Sequence, residues 1–217
     1  HVQTGPRFHY HSVQFDGLSA LPASAALRYF VRTDGLLNTR TLRRFSRSEL
    51  NDALGNLRTA LRQRGHALAD VEIASLDIDP DSASVRLRVA VREGPVHRVT
   101  RIDVVTREEP AAEPLSRESR KENRLLTPGA RDDLRRDLLA PWYRDGYPEA
   151  EVTVTETHRE PRDDGTVAVT LHAELIRGPR VRLGEPRFTG AGATRFQDAL
   201  RRRARLEGSW LDRLAVD

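Results

Sequence analysis

The sequence predicts an α+β protein built from tandem β-α-α-β-β modules, each a small three-stranded mixed sheet with two helices on one face. Three observations carry this expectation. Gly-Pro pairs recur at Gly5-Pro6, Gly94-Pro95 and Gly178-Pro179, spaced by 89 and 84 residues. Residues 64–73 register on residues 145–154 at an offset of 81, Gly65 on Gly146 and Val71 on Val152. Each of those stretches follows a helical stripe and precedes two runs that alternate apolar and polar residues. A period of this kind marks one supersecondary unit used repeatedly.

The elements of one unit follow in order. A strand-like stretch comes after each Gly-Pro, at residues 8–15, 96–105 and 181–188. Proline fixes φ and removes a ladder donor, so it closes the strand before it. A first helix is expected from Pro22 to about Phe30, anchored by Leu27 and Phe30, and again from Ala193 to about Arg205. Its counterpart at residues 107–124 is polar and carries Pro110 and Pro114, which predicts a short or irregular segment. The second helix shows Leu50, Leu54, Leu57 and Leu61 on one face. Ser46 with Glu49 reads as a capping box, and Gly65 as the left-handed residue that ends the helix. In the second copy Leu134, Leu138 and Trp142 form the stripe, with Thr127 as cap, Pro128 at the first helical position, Pro141 as a kink and Gly146 at the end.

Two alternating runs then make a hairpin. Val71 and Ile73 precede the break at Asp79-Pro80-Asp81-Ser82, after which Val85, Leu87, Val89 and Val91 alternate with Arg86, Arg88 and Arg92. Val152 and Val154 precede Asp163-Asp164-Gly165-Thr166, followed by Val167, Val169, Leu171, Ala173 and Leu175. These read as half-buried strands joined by tight turns. Strands on both sides of a helical crossover imply a mixed sheet with its helices on one face.

Composition narrows the functional classes. Apolar residues make up 38% and charged residues 31% of the 217, which fits thin cores and much surface. The formal charge is +4, and every cation but Lys121 is arginine. Acids and arginines are interspersed, as on a solvated surface. The densest basic run, Arg201, Arg202, Arg203 and Arg205, leaves a nucleic-acid-binding array as an alternative reading. Cysteine and methionine are absent, which excludes thiolate sites and implies a piece of a longer protein. No 18-residue apolar run is present.

A helix ending in Gly-aromatic-x-x-Ala-x-Val, then a hairpin, then a strand running into Glu-Gly-Pro and a following strand ending in glycine, resembles the POTRA repeat. The residues that carry the resemblance are 146–152, 89–95 and 178–190. The likeness implies units at residues 7–94 and 95–178, the tail of another at 1–6 and the start of a further one at 179–217. POTRA repeats form the periplasmic arm of Omp85-type outer-membrane proteins, the BamA and TamA group. The resemblance therefore implies a segment at the periplasmic face of the outer membrane, attached to a C-terminal β-barrel. Its implied partners are unfolded outer-membrane or secreted polypeptides and accessory lipoprotein subunits, with no nucleic acid and no cofactor. The arm of a two-partner secretion transporter is the rival within the same class.

No catalytic constellation stands out. His9 and His11 lack third and fourth metal ligands. Asp77, Asp79 and Asp81 lack the glycine and terminal glutamate of a calcium loop. Gly190-Ala191-Gly192-Ala193 lacks the lysine of a phosphate loop, and no nucleophile motif is present. An exposed sheet edge remains the physical means of binding. The resemblance implies that this edge is the first strand of each hairpin. The candidate residues are Val71, Glu72, Ile73, Ala74 and Ser75 in one unit and Val152, Thr153, Val154 and Thr155 in the next. Tyr143 joins them because it lies off the helical stripe.

Overall fold

The alternation of Val85, Leu87, Val89 and Val91 with arginine builds the central strand of the first unit, β3 (Ser84–Arg92). The four apolar side chains are buried, between 0% and 5% exposed. Arg86, Arg88 and Arg92 point the other way and pair with Asp77 (3.2 Å), Asp16 (3.3 Å) and Asp70 (2.6 Å). The computed structural model describes residues 7–31, 44–184 and 210–213. In it β3 runs parallel to β1 (His9–Asp16) and antiparallel to β2 (Asp70–Asp79), giving the order β1-β3-β2. A parallel pair demands a crossover. Here the helices α1 (Ala23–Phe30) and α2 (Arg47–Arg62) lie between the paired strands in sequence.

Helix α2 buries Leu50, Ala53, Leu54, Leu57 and Leu61 against this sheet and α1. Each buried leucine contributes about 1.5–3 kcal/mol. Ser46 takes the N-cap position, but the expected capping box does not form: its side chain makes no cap bond. The Leu50 N–H donates to Ser46 O (2.9 Å), so the backbone alone closes the first turn. Tyr10 is 3% exposed, and burial, then the charge of Glu49, pushes its hydroxyl up to about 12.

The second unit holds a four-stranded sheet in the order β5-β4-β7-β6. Its strands are β4 (His97–Arg107), β5 (Ser116–Leu125), β6 (Glu151–Pro161) and β7 (Val167–Ile176), with α3 (Ala130–Arg144) between β5 and β6 in sequence. Val99, Ile102, Leu134, Val169, Leu171 and Ala173 are each 0% exposed. This unit departs from the β-α-α-β-β expectation, because a strand replaces its first helix. The Leu115 N–H donates to Thr106 O (2.7 Å) and β5 lies beside β4 in the sheet, so β5 returns antiparallel along β4. Ser116–Leu125 is almost wholly polar and offers no apolar face to bury as a helix, whereas an edge strand needs only one paired side. Positions 131 and 135 of α3 correspond to Leu50 and Leu54 of α2 but carry arginines, paired with Glu156 (3.0 Å) and Asp132 (3.0 Å). Charged side chains suit a flank that no second helix covers.

One further expectation shifts. Helix α3 opens after Gly129, so Thr127 and Pro128 precede it; the Thr127 N–H is held by Leu125 O (3.1 Å) in a tight turn. Pro141, expected to kink the helix or start a new turn, lies within α3, which runs on to Arg144. Gly65 and Gly146 do adopt the left-handed conformation at φ +89° and +90°. Residues 1–6, 32–43, 185–209 and 214–217, with Gly5-Pro6, Gly190, the helix expected from Ala193 to about Arg205 and the arginines at 201–205, lie outside the described residues. The chain divides into two compact units, one reaching Arg98 with Arg124–Pro128 and Glu160–Ala168, the other Val99–Asn123, Gly129–Arg159 and the residues from Val169 on.

The residue before each described Gly-Pro fastens its unit, with opposite charge in the two copies. Glu93 accepts from the N–H groups of Ser19 (2.6 Å) and Ala20 (2.7 Å) and from the Ser19 hydroxyl (2.5 Å). At the equivalent position Arg177 pairs with Glu108 (2.8 Å), just past the end of β4. Partial burial raises the Glu93 carboxyl, but the donors at Ala20 and Ser19 together draw it below its ordinary value. A lowered folded value stabilises above the unfolded carboxylate range and is lost as pH falls through the folded value. Glu93→Ala should therefore cost about 1 kcal/mol at pH 7. In urea titrations the parent and variant midpoints should converge in acid, once Glu93 is protonated in both states.

Candidate functional site

An edge strand offers whatever N–H and C=O groups its own chain leaves unpaired. Strand β2 is an edge of the first sheet and β6 an edge of the second. The candidate residues of both hairpins therefore lie on sheet edges, though the two edges differ in chemistry.

At β2, Val71 is buried at 1% exposure, and side chains occupy both of its backbone groups. Its N–H donates to Asp70 Oδ1 (3.0 Å), and its C=O accepts from Arg58 Nη2 (3.1 Å). Arg58 also pairs with Asp70 (3.5 Å), and Arg62 Nη2 donates to Ala69 O (3.4 Å). Two arginines from α2 thus lie over the start of this edge. Glu72 is exposed and pairs with Arg92 (2.9 Å), while Ala74 and Ser75 are also exposed. The register slips between Ile73 and Ser75, which makes Ala74 the bulged residue. A bulge twists the strand and interrupts the ladder. Ile73, just before it, is 41% exposed.

At β6 the corresponding set is milder. Val152 (7% exposed) and Val154 pack on the core, with Thr153 and Thr155 exposed between and beyond them. The Tyr143 hydroxyl donates to Ala150 O (3.3 Å), the same service that Arg62 performs for Ala69 in the first unit. Tyr143 is thus half-buried and engaged, with the Arg213 guanidinium 4.7 Å from its ring centre. The decisive difference lies one turn back. At the offset of 81, Arg58 corresponds to Leu139, which carries no donor. Leu139 instead packs at the core margin and lines, with Ala140, Tyr143, Asp132, Arg135 and Arg136, an open groove of about 320 Å³. The role of Arg58 and its replacement by Leu139 escape a reading of strands alone, yet both are visible once the helices are registered at 81.

The acidic and histidine candidates have local uses. Asp79 accepts from the N–H of Asp81 (3.0 Å) and the Ser82 hydroxyl (2.6 Å) in the hairpin turn, and Asp77 pairs with Arg86. His9 and His11 are both exposed on β1. Among the described residues no group of three His, Cys, Asp or Glu side chains is arranged to hold a metal ion. Among the same residues no helix is long and apolar enough to cross a membrane.

Comparison with known proteins bears on the same architecture. The family model of POTRA, described as a surface antigen variable number repeat, matches residues 8–94. The chain is similar to the POTRA3-5 segment of Haemophilus influenzae BamA at 15% identity and TM-score 0.49, covering 97% of this chain and 82% of that one. It is similar to POTRA1-2 of the periplasmic domain of Omp85 from Anabaena at 18% identity and TM-score 0.40, covering 82% and 100%. BamA from Haemophilus ducreyi lacking POTRA domains 1-3 matches at 14% identity and TM-score 0.45, covering 79% of this chain and 29% of that one. Residues 8–94 therefore match the POTRA repeat, the family to which this part of the chain is similar.

Proposed function

We propose that this chain is the periplasmic docking arm of an Omp85-type outer-membrane protein, in an assembly or translocation factor. It receives extended polypeptides or accessory subunits by strand addition at the β6 edge of the second unit. The observation that carries this choice of edge is the exchange of Arg58 for Leu139. Strand addition uses main-chain hydrogen bonds for affinity and pockets for alternate side chains. At β2 the Val71 N–H and C=O are already occupied by Asp70 and Arg58. At β6 the counterpart of Arg58 is the apolar Leu139, which with Ala140 and Tyr143 lines part of a groove on α3 where an incoming apolar side chain finds cover.

A reciprocal exchange tests this. In backbone NMR titrations with extended apolar-alternating peptides, the amides of Thr153, Val154 and Thr155 should shift before those of residues 71–75. Leu139→Arg should weaken binding about tenfold, as one edge group is capped and the groove floor becomes charged. Arg58→Leu should make the β2 amides responsive. Peptide shifts spread evenly over both units, or unaffected by Leu139→Arg, would sink the assignment.

A further inference from the structure

One hydrogen bond recurs three times with the period of the chain. The Phe45 N–H donates to Phe8 O (2.9 Å), the Leu126 N–H to His97 O (2.9 Å) and the Leu211 N–H to Val181 O (3.0 Å). The acceptors stand two residues after Pro6, Pro95 and Pro179. The first two donors lie just ahead of α2 and α3. Leu211 thus holds the place from which a unit's second helix is reached, and Val181 the start of its first strand.

The ends of the two leucine-striped helices carry a second repeat. Gly65 O accepts from the His97 N–H (2.8 Å), and Gly146 O accepts from the Val181 N–H (2.7 Å). Neither glycine has room for a side chain. A Cβ on Gly65 would meet Leu125 Cδ2 at 2.9 Å, and one on Gly146 would meet Trp210 Cβ at 2.8 Å. The backbone pattern is therefore the same while the side chains change from aliphatic to aromatic.

Around Gly146 those side chains form a stack. The Arg180 guanidinium lies 3.6 Å from the Trp210 ring centre and that of Arg182 lies 4.2 Å from it. Arg180 and Arg177 also approach Tyr147, at 5.5 and 5.1 Å, and Tyr147 meets Trp142 edge-on at 5.3 Å. Arg180 Nε donates to Asp145 O (2.7 Å), and Arg213 Nη1 donates to Pro148 O (2.7 Å). A planar guanidinium stacks on an indole and still donates at its rim, which an ammonium cannot do.

We infer that the Gly146 end of the second unit is a socket for a further module of the same kind, begun at Arg180 and clamped there by the Arg180–Trp210–Arg182 stack. The occupant is this chain's own continuation. The socket fixes where that module attaches, and its chemistry is distinct from the aliphatic contact at Gly65. This inference stands independently of the β6 docking edge.

Hydrogen exchange on the whole chain tests it. The amides of Val181 and Leu211 should be protected in the parent. Trp210→Ala and Arg180→Ala should each speed exchange at both amides together, by about tenfold, while the amides of Val169 and Leu171 in β7 keep their protection. Arg180→Lys retains the charge without the flat fork and should move the same two amides in the same direction. Should Trp210→Ala also expose β7, Arg180→Lys decides, since it leaves every apolar contact in place. Unprotected Val181 and Leu211 amides in the parent, or amides indifferent to both arginine substitutions, would overturn the socket.

Discussion

Replacing Leu134 with alanine should cost the second unit about 2–5 kcal/mol, the range for a leucine deleted from a core that cannot collapse around the void. Leu134 is 0% exposed and, with Ala130 at 4%, is one of two buried positions on α3. Helix α2 of the first unit spreads its attachment over five buried residues and shares them with α1. Helix α3 has Arg131 and Arg135 where two of those leucines stand, so Leu138, Leu139 and Trp142 at the core margin are its remaining apolar anchors. Urea unfolding followed by circular dichroism should show a lower midpoint at an unchanged slope, since the same surface is exposed on unfolding. A change below about 1 kcal/mol would mean that α3 is not held by its core face.

That asymmetry between α2 and α3 also explains what was legible in the sequence. The repeat survives as geometry. Gly94 and Gly178 stand at φ +66° and +67°, and Gly65 and Gly146 at +89° and +90°. Strand β3 buries the same alternating set that its sequence displays. These features are readable because each rests on a local rule, either the period of two along a strand or the freedom of glycine at positive φ. The strand β5 was hidden for the converse reason. Ser116–Leu125 carries charge on both faces, so no apolar period reveals its pairing. A signal did exist elsewhere: Arg131 and Arg135 replace Leu50 and Leu54 on the helix flank, which tells that nothing apolar covers it. The capping box failed for a different reason. The spacing of Ser46 and Glu49 permits the side-chain bond, but spacing does not fix the side-chain rotamers that such a bond needs, and the Ser46 side chain makes none.

The candidate site was legible as strands and not as chemistry. Both hairpins place their first strand on a sheet edge. Whether an edge group is free depends on a side chain from a helix more than ten residues away, as Arg58 on Val71 shows. Tyr143 is a case in point, since its hydroxyl faces Ala150 and does the work of Arg62 in the other unit. Tyrosine and arginine share no obvious class in a sequence, yet both deliver a donor to the same carbonyl from the same helical position.

The second large effect concerns Gly65. Gly65→Val should destabilise the first unit by about 2–4 kcal/mol, with Gly65→Ala costing about 1–2 kcal/mol. Two terms add. At φ +89° any side chain is strained, and a β-branched one most of all. The space is also filled: a Cβ would approach Leu125 Cδ2 at 2.9 Å, Val96 Cγ1 at 3.1 Å and His97 O at 3.3 Å, and the last of these is backbone that cannot swing aside. Displacing it breaks the bond from the His97 N–H to Gly65 O. Gly55 supplies the internal control. It lies within α2, at ordinary helical φ, and a Cβ there would meet nothing within 4 Å. Gly55→Ala should therefore stabilise by about 0.5–1 kcal/mol, through a smaller loss of backbone freedom on folding. Thermal melts of the three variants should separate the two glycines on opposite sides of the parent. Equal and small effects at both positions would mean that the left-handed turn at Gly65 does not hold the first unit together.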